Sequence, residues 1–356
     1  MKYVFYCLSI LSLMASAVCS AELSLAPISF DQLEGFSQDR LLEVRPALLK
    51  SCEKRLTQKN NGSALAHAVQ QTLVDVCPEL MKSNFQSDQD FLSFIRKNLV
   101  PYKVTNADGQ GLFTGYYEPI LKASAQKTGS FKYPLYALPP DFKTPYTVRA
   151  DIERGKIHPS TQVLAWFEDP VQLYFLHVQG SGIVRYDDGS TKRFAFAGKN
   201  GQTYVSIGKY LIDQKQIEPQ NMSKQSLEAW LYAHPERQRE VFDQNPSFIF
   251  FKESQIEGAV GSSGVVLTKE RSLAIDPAFM PYGALLWLQA DSIDHPEEPD
   301  LKLRRLVVAQ DTGSAIKGKV RGDLFWGNGD RAEHHAGLMK NKGDYFILLS
   351  KSASVR

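Results

Sequence analysis

Apolar residues recur at helical spacing in the first part of the chain. Leu65, Val69, Leu73 and Val76 form one such face, and Leu92, Ile95 and Leu99 form another. Ser87 with Asp90 three positions on reads as a helix start, and Pro101 ends that segment. Residues 22–100 are therefore expected to be mainly helical. From about 102 to 215 the pattern breaks into short β-rich runs such as "LYFLHVQ" and "KRFAFAG", divided by Gly, Asp-Gly and Pro turns of the kind seen in "YDDGS". Helical spacing returns over 223–244 and is interrupted near Pro235. After "NPSFIFFKES" the chain is β-rich again, with "GALLWLQA", "LRRLVVAQ" and "DYFILLS" as its apolar runs. The acidic, Pro-bearing "DSIDHPEEPD" reads as a surface loop.

The N-terminus stands apart. Lys2 precedes the mostly apolar "YVFYCLSILSLMASAV", and the small residues Cys19, Ser20 and Ala21 follow, as a secretory signal requires. Residues 1–21 are thus expected to be a signal peptide and the protein to be exported; the run is short for a membrane span. A lipid-modified Cys19 is the other reading, but cleavage after Ala21 fits the residues better. Cleavage would leave Cys52 and Cys77 as a pair in an oxidising compartment, where a disulfide is favoured over two buried thiols. Closing that loop would contribute ~3.5 kcal/mol by chain entropy.

Length and charge add bounds. A chain of 356 residues leans toward two domains, and a net charge of +2 with 22% charged residues describes an ordinary globule. Its Lys and Arg are scattered, so nucleic acid is not expected as a partner.

Several signatures are missing: there is no phosphate-cradling GxxxxGK[ST], no HExxH and no CxxC, and His334 and His335 are adjacent. Neither a metal nor a cofactor is expected. "GSSG" at 261–264 lacks the spacing of a nucleophile elbow. What remains is carboxylates and aromatics around glycine-rich turns. Asp276, Asp311 and Asp323 each lie at or near the end of an apolar run. Asp311 is the best placed, because "LVVAQ" reads as a buried strand and "TGSAIKG" as a turn permitting close approach; an Asx turn is the structural alternative. "GLFTGYYEPI" and "YFLHVQGSGIVRY" share strand-like apolar runs that open into Gly, offering Thr114, Tyr116, Tyr117, Gln179 and Ser181 to a sugar. Glu118 is a further candidate carboxylate, with a solvated strand end as its plain reading.

Five strings in register carry a resemblance: "FTGYYEP", "DPVQLYFLHVQGSG", "NPSFIFFKE", "LTKERSLAIDPAFMPYGALLWL" and "AQDTGSAIKGKVRGDLFWGNGDRAEHHAGLMK". From about residue 110 to the C-terminus the chain resembles the membrane-bound lytic murein transglycosylases of the A type, with their three-aspartate barrel domain. The resemblance implies a mainly β protein with N-terminal helices. A double-psi β-barrel would be assembled from residues 22–117 and 251–356, with a smaller β domain inserted over 118–250 and a glycan groove between them. It implies cleavage of the β-1,4 bond between N-acetylmuramic acid and N-acetylglucosamine, ending in a 1,6-anhydro ring. Asp311 matches the catalytic Asp; Asp276 and Asp323 would tune it or touch substrate. Peptidoglycan strands are then the expected partner, the periplasm the location, and a monomer the expected state. Many relatives are tethered to the outer membrane, whereas "MASAVCS" matches the lipid-attachment pattern poorly. A hydrolase on the same scaffold, with Asp323 or Asp276 activating water, and a non-catalytic glycan-binding protein are the alternatives.

Overall fold

The computed structural model describes residues 24–55, 62–105, 111–290 and 302–354. The expected signal peptide, Cys19 and the "DSIDHPEEPD" loop lie outside the described residues. The chain opens with β1 (Ser24–Pro27), then α1 (Arg45–Arg55), α2 (Ala64–Lys82) and α3 (Asp88–Asn98), followed by β2 (Leu99–Thr105) and β3 (Gly111–Glu118). A middle section holds β4 (Ile120–Lys122), β5 (Tyr133–Tyr136), α4 (Arg149–Glu153), β6 (Val163–Phe167), α5 (Pro170–Gln179), β7 (Ser181–Arg185) and β8 (Thr191–Lys199). It closes with α6 (Ile207–Asp213), α7 (Lys224–Ala233), α8 (Gln238–Asp243) and β9 (Ile249–Ser254). The last section is β10 (Ser272–Ile275), β11 (Leu285–Ala290), β12 (Leu303–Asp311), β13 (Arg321–Asn328), α9 (Asp330–Leu338) and β14 (Lys340–Ser350).

The helices begin where side chains can satisfy their first amides. Ser63 Oγ accepts from the Ala66 N–H at 3.3 Å and Ser87 Oγ from the Asp90 N–H at 3.1 Å. Cys52 on α1 and Cys77 on α2 form a disulfide. One expectation fails in kind: "LYFLHVQ" is the body of α5, not a strand. Asp169 Oδ1 accepts the amides of Val171 and Gln172, Pro170 fills the first helical position, and Gly180 ends the helix at φ 80°. The helix hides its period because Val171, Tyr174, Phe175, Leu176 and His177 are all buried, covering more than one face.

Strands from the first and last sections form one sheet in the order β1-β2-β14-β11-β12-β10-β13-β3, and β14 also pairs with β3. That last pairing, Lys340–Gly343 against Thr114–Gly111, closes six of the strands into a ring. The middle section makes a separate sheet, β4-β7-β8-β9, and the small β5-β6 pair.

Alternation along the ring strands sets which side chain goes where. On β11, Leu285 and Trp287 pack against the helices with Phe91, Ile95 and the disulfide, while Leu286 and Leu288 fill the ring interior. On β12, Leu306 and Val308 face the helices, and Val307 and Ala309 face inward. Both faces being apolar, these strands read as continuous hydrophobic runs. The next residue, Gln310, keeps the helix-side parity: its amide donates to Ala47 O at 2.7 Å and Ser51 Oγ at 2.8 Å and accepts from Ser272 Oγ at 2.6 Å. Asp311 therefore takes the inward parity of Val307 and Ala309, at the point where the ring opens.

Candidate active site

Asp311 is half-buried at the floor of a cavity of about 520 Å³ that lies between the ring and the middle sheet. Its two oxygens are unequal. Oδ1 accepts from the Ser262 N–H at 2.8 Å, the Ser262 hydroxyl at 2.9 Å and the Thr312 N–H at 2.8 Å, whereas among the described residues Oδ2 accepts from the Tyr116 hydroxyl alone, at 2.9 Å. Oδ1 is saturated, so a proton on this carboxyl belongs on Oδ2. Burial pushes Asp311 above the usual carboxylate range; the donors on Ser262, Thr312 and Tyr116 pull it back without cancelling the effect. Tyr116 is itself held protonated, by burial first and then by the charge of Asp311.

The loop that brings Ser262 to Asp311 must come very close. A Cβ on Gly261 would stand 2.5 Å from Gln310 O, so glycine is the residue that fits there. "GSSG" is thus a clamp on the acid: Ser263 also donates, through its hydroxyl, to Gln310 O at 2.6 Å.

Asp323 also lines the cavity, and among its described lining residues Asp311 and Asp323 are the carboxylates. Thr114 donates its hydroxyl to Asp323 Oδ1 at 2.5 Å and accepts from Arg321 at 2.8 Å, which ties the three into a relay. Burial raises Asp323 as well; Arg321 and Thr114 oppose that shift and Asp311 adds to it.

The other candidate residues divide. Gln179 and Ser181 line the cavity from the opposite wall, and Gln179 Oε1 accepts the Tyr117 N–H at 3.1 Å. Tyr117 itself faces away. Neighbouring strand residues point to opposite faces, so Tyr116 meets Asp311 while the Tyr117 hydroxyl donates to Glu333 at 2.9 Å, under Lys224. Asp276 is buried outside the cavity lining, where Oδ1 accepts the Ala278 N–H at 3.2 Å and Oδ2 the Gly318 N–H at 3.0 Å. It holds the far end of the loop that follows Asp311. Glu118 is not a solvated strand end: it is 1% exposed and forms a two-pronged pair with Arg193, at 2.8 and 3.2 Å. That pair ties the end of β3 to β8 at the point where the chain leaves the ring.

Two family models match the chain, the MltA specific insert domain over residues 112–252 and the 3D domain over residues 271–349. The membrane-bound lytic murein transglycosylase A of Escherichia coli K12 is 36% identical over 252 residues, spanning 69% of this chain and 68% of that protein. The chain belongs to the lytic murein transglycosylase A family. Family structures superpose on it. One from Agrobacterium tumefaciens aligns with a TM-score of 0.84 at 28% identity, over 92% of this chain and 98% of that one. The E. coli family structure with bound chitohexaose aligns at 0.69 and 28% identity, over 92% and 94%.

Within this family member, two features of the site were not legible as such. Phe196 on β8 lies on the cavity wall and is 51% exposed, a bare aromatic face of the kind that covers a pyranose. The alternation in "KRFAFAG" marks Phe194 and Phe196 alike, and only the tertiary packing shows that Phe194 is core. Ser262 lies 49 residues from Asp311 in sequence, and no local signal joins them.

Proposed function

We propose that this lytic murein transglycosylase A family member is a peptidoglycan lytic transglycosylase in which Asp311 acts first as acid and then as base. It cleaves the β-1,4 bond between N-acetylmuramic acid and N-acetylglucosamine and leaves a 1,6-anhydro end. The observation that carries the mechanism is the asymmetric, half-buried carboxyl at the cavity floor. Burial favours the neutral form of Asp311, and in that form it gives the Oδ2 proton to the glycosidic oxygen as the bond breaks. The resulting carboxylate takes the proton of the C6 hydroxyl as that oxygen closes on C1, so one group serves both steps and no water is added. Ser262 and Thr312 stabilise the carboxylate between the steps. Phe196, Gln179 and Ser181 are proposed to hold the glycan, with Thr114 and Arg321 setting the state of Asp323 behind Asp311.

We further infer that the six-stranded ring is a double-psi β-barrel, formed by residues 22–117 and 251–356, with 118–250 as the insert. Relatives are named membrane-bound. Among the described residues no helix is long and apolar enough to cross a membrane. Export to the periplasm rests on residues 1–21.

Asp323 in the cavity lends one rival some support: it could activate water, making the protein a hydrolase. Mass spectrometry of digested peptidoglycan decides. Anhydromuramoyl ends are expected; products heavier by one water would overturn the ring-closing step.

The pH profile offers a second check. The acid must be protonated in the free enzyme, so kcat/KM is lost as pH rises through the raised pKa of Asp311. The Tyr116 hydroxyl holds that pKa down. Tyr116→Phe is therefore expected to move the alkaline limb of kcat/KM to higher pH, and a limb that stays or moves lower would remove Tyr116 from this role.

A further inference from the structure

The middle-sheet wall of the cavity carries two cations that, among the described residues, no carboxylate answers. Lys199 ends β8 and donates from Nζ to the neutral Ser314 hydroxyl at 2.9 Å, reaching the loop that follows Asp311. Lys252 on β9 is exposed and lines the same cavity, and among the described residues no hydrogen bond or ion pair engages its ammonium. Elsewhere on this sheet lysines have partners: Lys192 pairs with Glu253 at 2.9 Å and Lys122 with Asp187 at 3.2 Å. Burial, and then the like charge of Lys317, disfavour the Lys199 cation, as expected of an ammonium without its counter-ion. The cavity's own acids do not serve: Asp311 is occupied by Ser262, Thr312 and Tyr116, and Asp323 by Thr114 and Arg321. Lys199 lies opposite Ile249 and Lys252 opposite Ala195 in the sheet register, and both residues line the cavity.

The two sugars of the glycan differ in charge. N-acetylglucosamine is neutral, whereas muramic acid bears a lactyl group whose carboxyl is either free or linked to a peptide with carboxylates of its own. We propose that Lys199 and Lys252 form an anionic subsite that takes the carboxylates carried by the muramic-acid units, so that the cavity distinguishes peptidoglycan from a neutral chitin-type strand. The inference rests on the peptidoglycan reading above. It assigns specificity to residues that the acid–base mechanism does not use.

The test measures binding by calorimetry in the Asp311→Asn protein, which keeps its ligands intact. Three ligands are compared: peptide-free murein oligosaccharides with free lactyl carboxylates, peptide-bearing murein oligosaccharides, and chitohexaose. Lys199→Met with Lys252→Met is expected to weaken murein binding about tenfold, the order of one lost charge-assisted hydrogen bond, and to flatten its salt dependence. Chitohexaose affinity should hold, and the double Arg variant should retain murein affinity. A loss confined to peptide-free strands assigns the lactyl carboxylate, and one confined to peptide-bearing strands assigns the peptide. Equal losses on all three ligands, or no loss on either murein ligand, would overturn the subsite. Wild-type protein that released no anhydro products would instead sink the transglycosylase reading, and these affinities would be unaffected.

Discussion

Asp311→Asn is expected to lower turnover on peptidoglycan by roughly 10³- to 10⁴-fold, the upper range for a positioned acid–base group, while glycan binding persists. The reason is geometric. Asn can accept on Oδ1 the three donors that Oδ1 of Asp311 now accepts, and its NH2 can donate to the Tyr116 hydroxyl, so the site should keep its shape. What it loses is a transferable proton. The same substitution has a stability consequence with a definite sign. A carboxyl whose pKa is raised on folding destabilises the folded state as pH climbs from the ordinary carboxylate value through the raised one. Neutral Asn removes that contribution, so the variant should be no less stable than wild type near neutral pH and equally stable in acid. Parallel thermal melts and product assays check both halves. Turnover within tenfold of wild type would remove Asp311 from the chemistry, and a large stability loss at neutral pH would contradict the raised carboxyl.

Arg271→Met is expected to cost about 3–5 kcal/mol of folding stability, by the mechanism of an orphaned buried charge. Arg271 immediately precedes β10 and is 1% exposed. Its guanidinium clamps Asp39 at 2.7 and 2.9 Å, reaches Glu43 at 3.0 Å, and donates to Leu306 O and Arg40 O. Asp39, whose side chain is 4% exposed, loses its charge partner when the guanidinium goes and keeps the Leu306 N–H on Oδ2 at 2.9 Å. The pair spans 232 positions of sequence and joins the N-terminal helical layer to the ring. Equilibrium urea unfolding of the single variant and of Arg271→Met with Asp39→Leu separates the causes. The double variant should recover part of the loss, because removing the orphaned charge helps while the Leu306 N–H loses its acceptor on Asp39. A single variant within about 1 kcal/mol of wild type would mean that water reaches Asp39 and the pair is not dry.

Some of this protein was legible along the chain because the physics is local. Ser87 caps its helix within three residues of itself, and the apolar faces of α2 and α3 follow from one period. β12 is apolar on both faces, and the carboxylate at its end stood out because a polar residue there needs a reason. α5 was not legible as a helix: burial around most of its girth erased the period, although Asp169, Pro170 and Gly180 marked its ends. Nor could spacing separate Tyr116 from Tyr117, or reveal that Glu118 meets Arg193 and Asp276 anchors a loop.

The sequence by itself determined the helical layer, the apolar strands and an acid placed where a buried strand runs out, because caps, periods and turns act over a few residues. Only the tertiary structure decided how the two oxygens of that acid are partnered, which tyrosine faces the cavity and which cavity lysines lack a counter-ion among the described residues. Those outcomes depend on ring closure and sheet register, which bring together groups 49, 115 and 195 positions apart that share no local energy term.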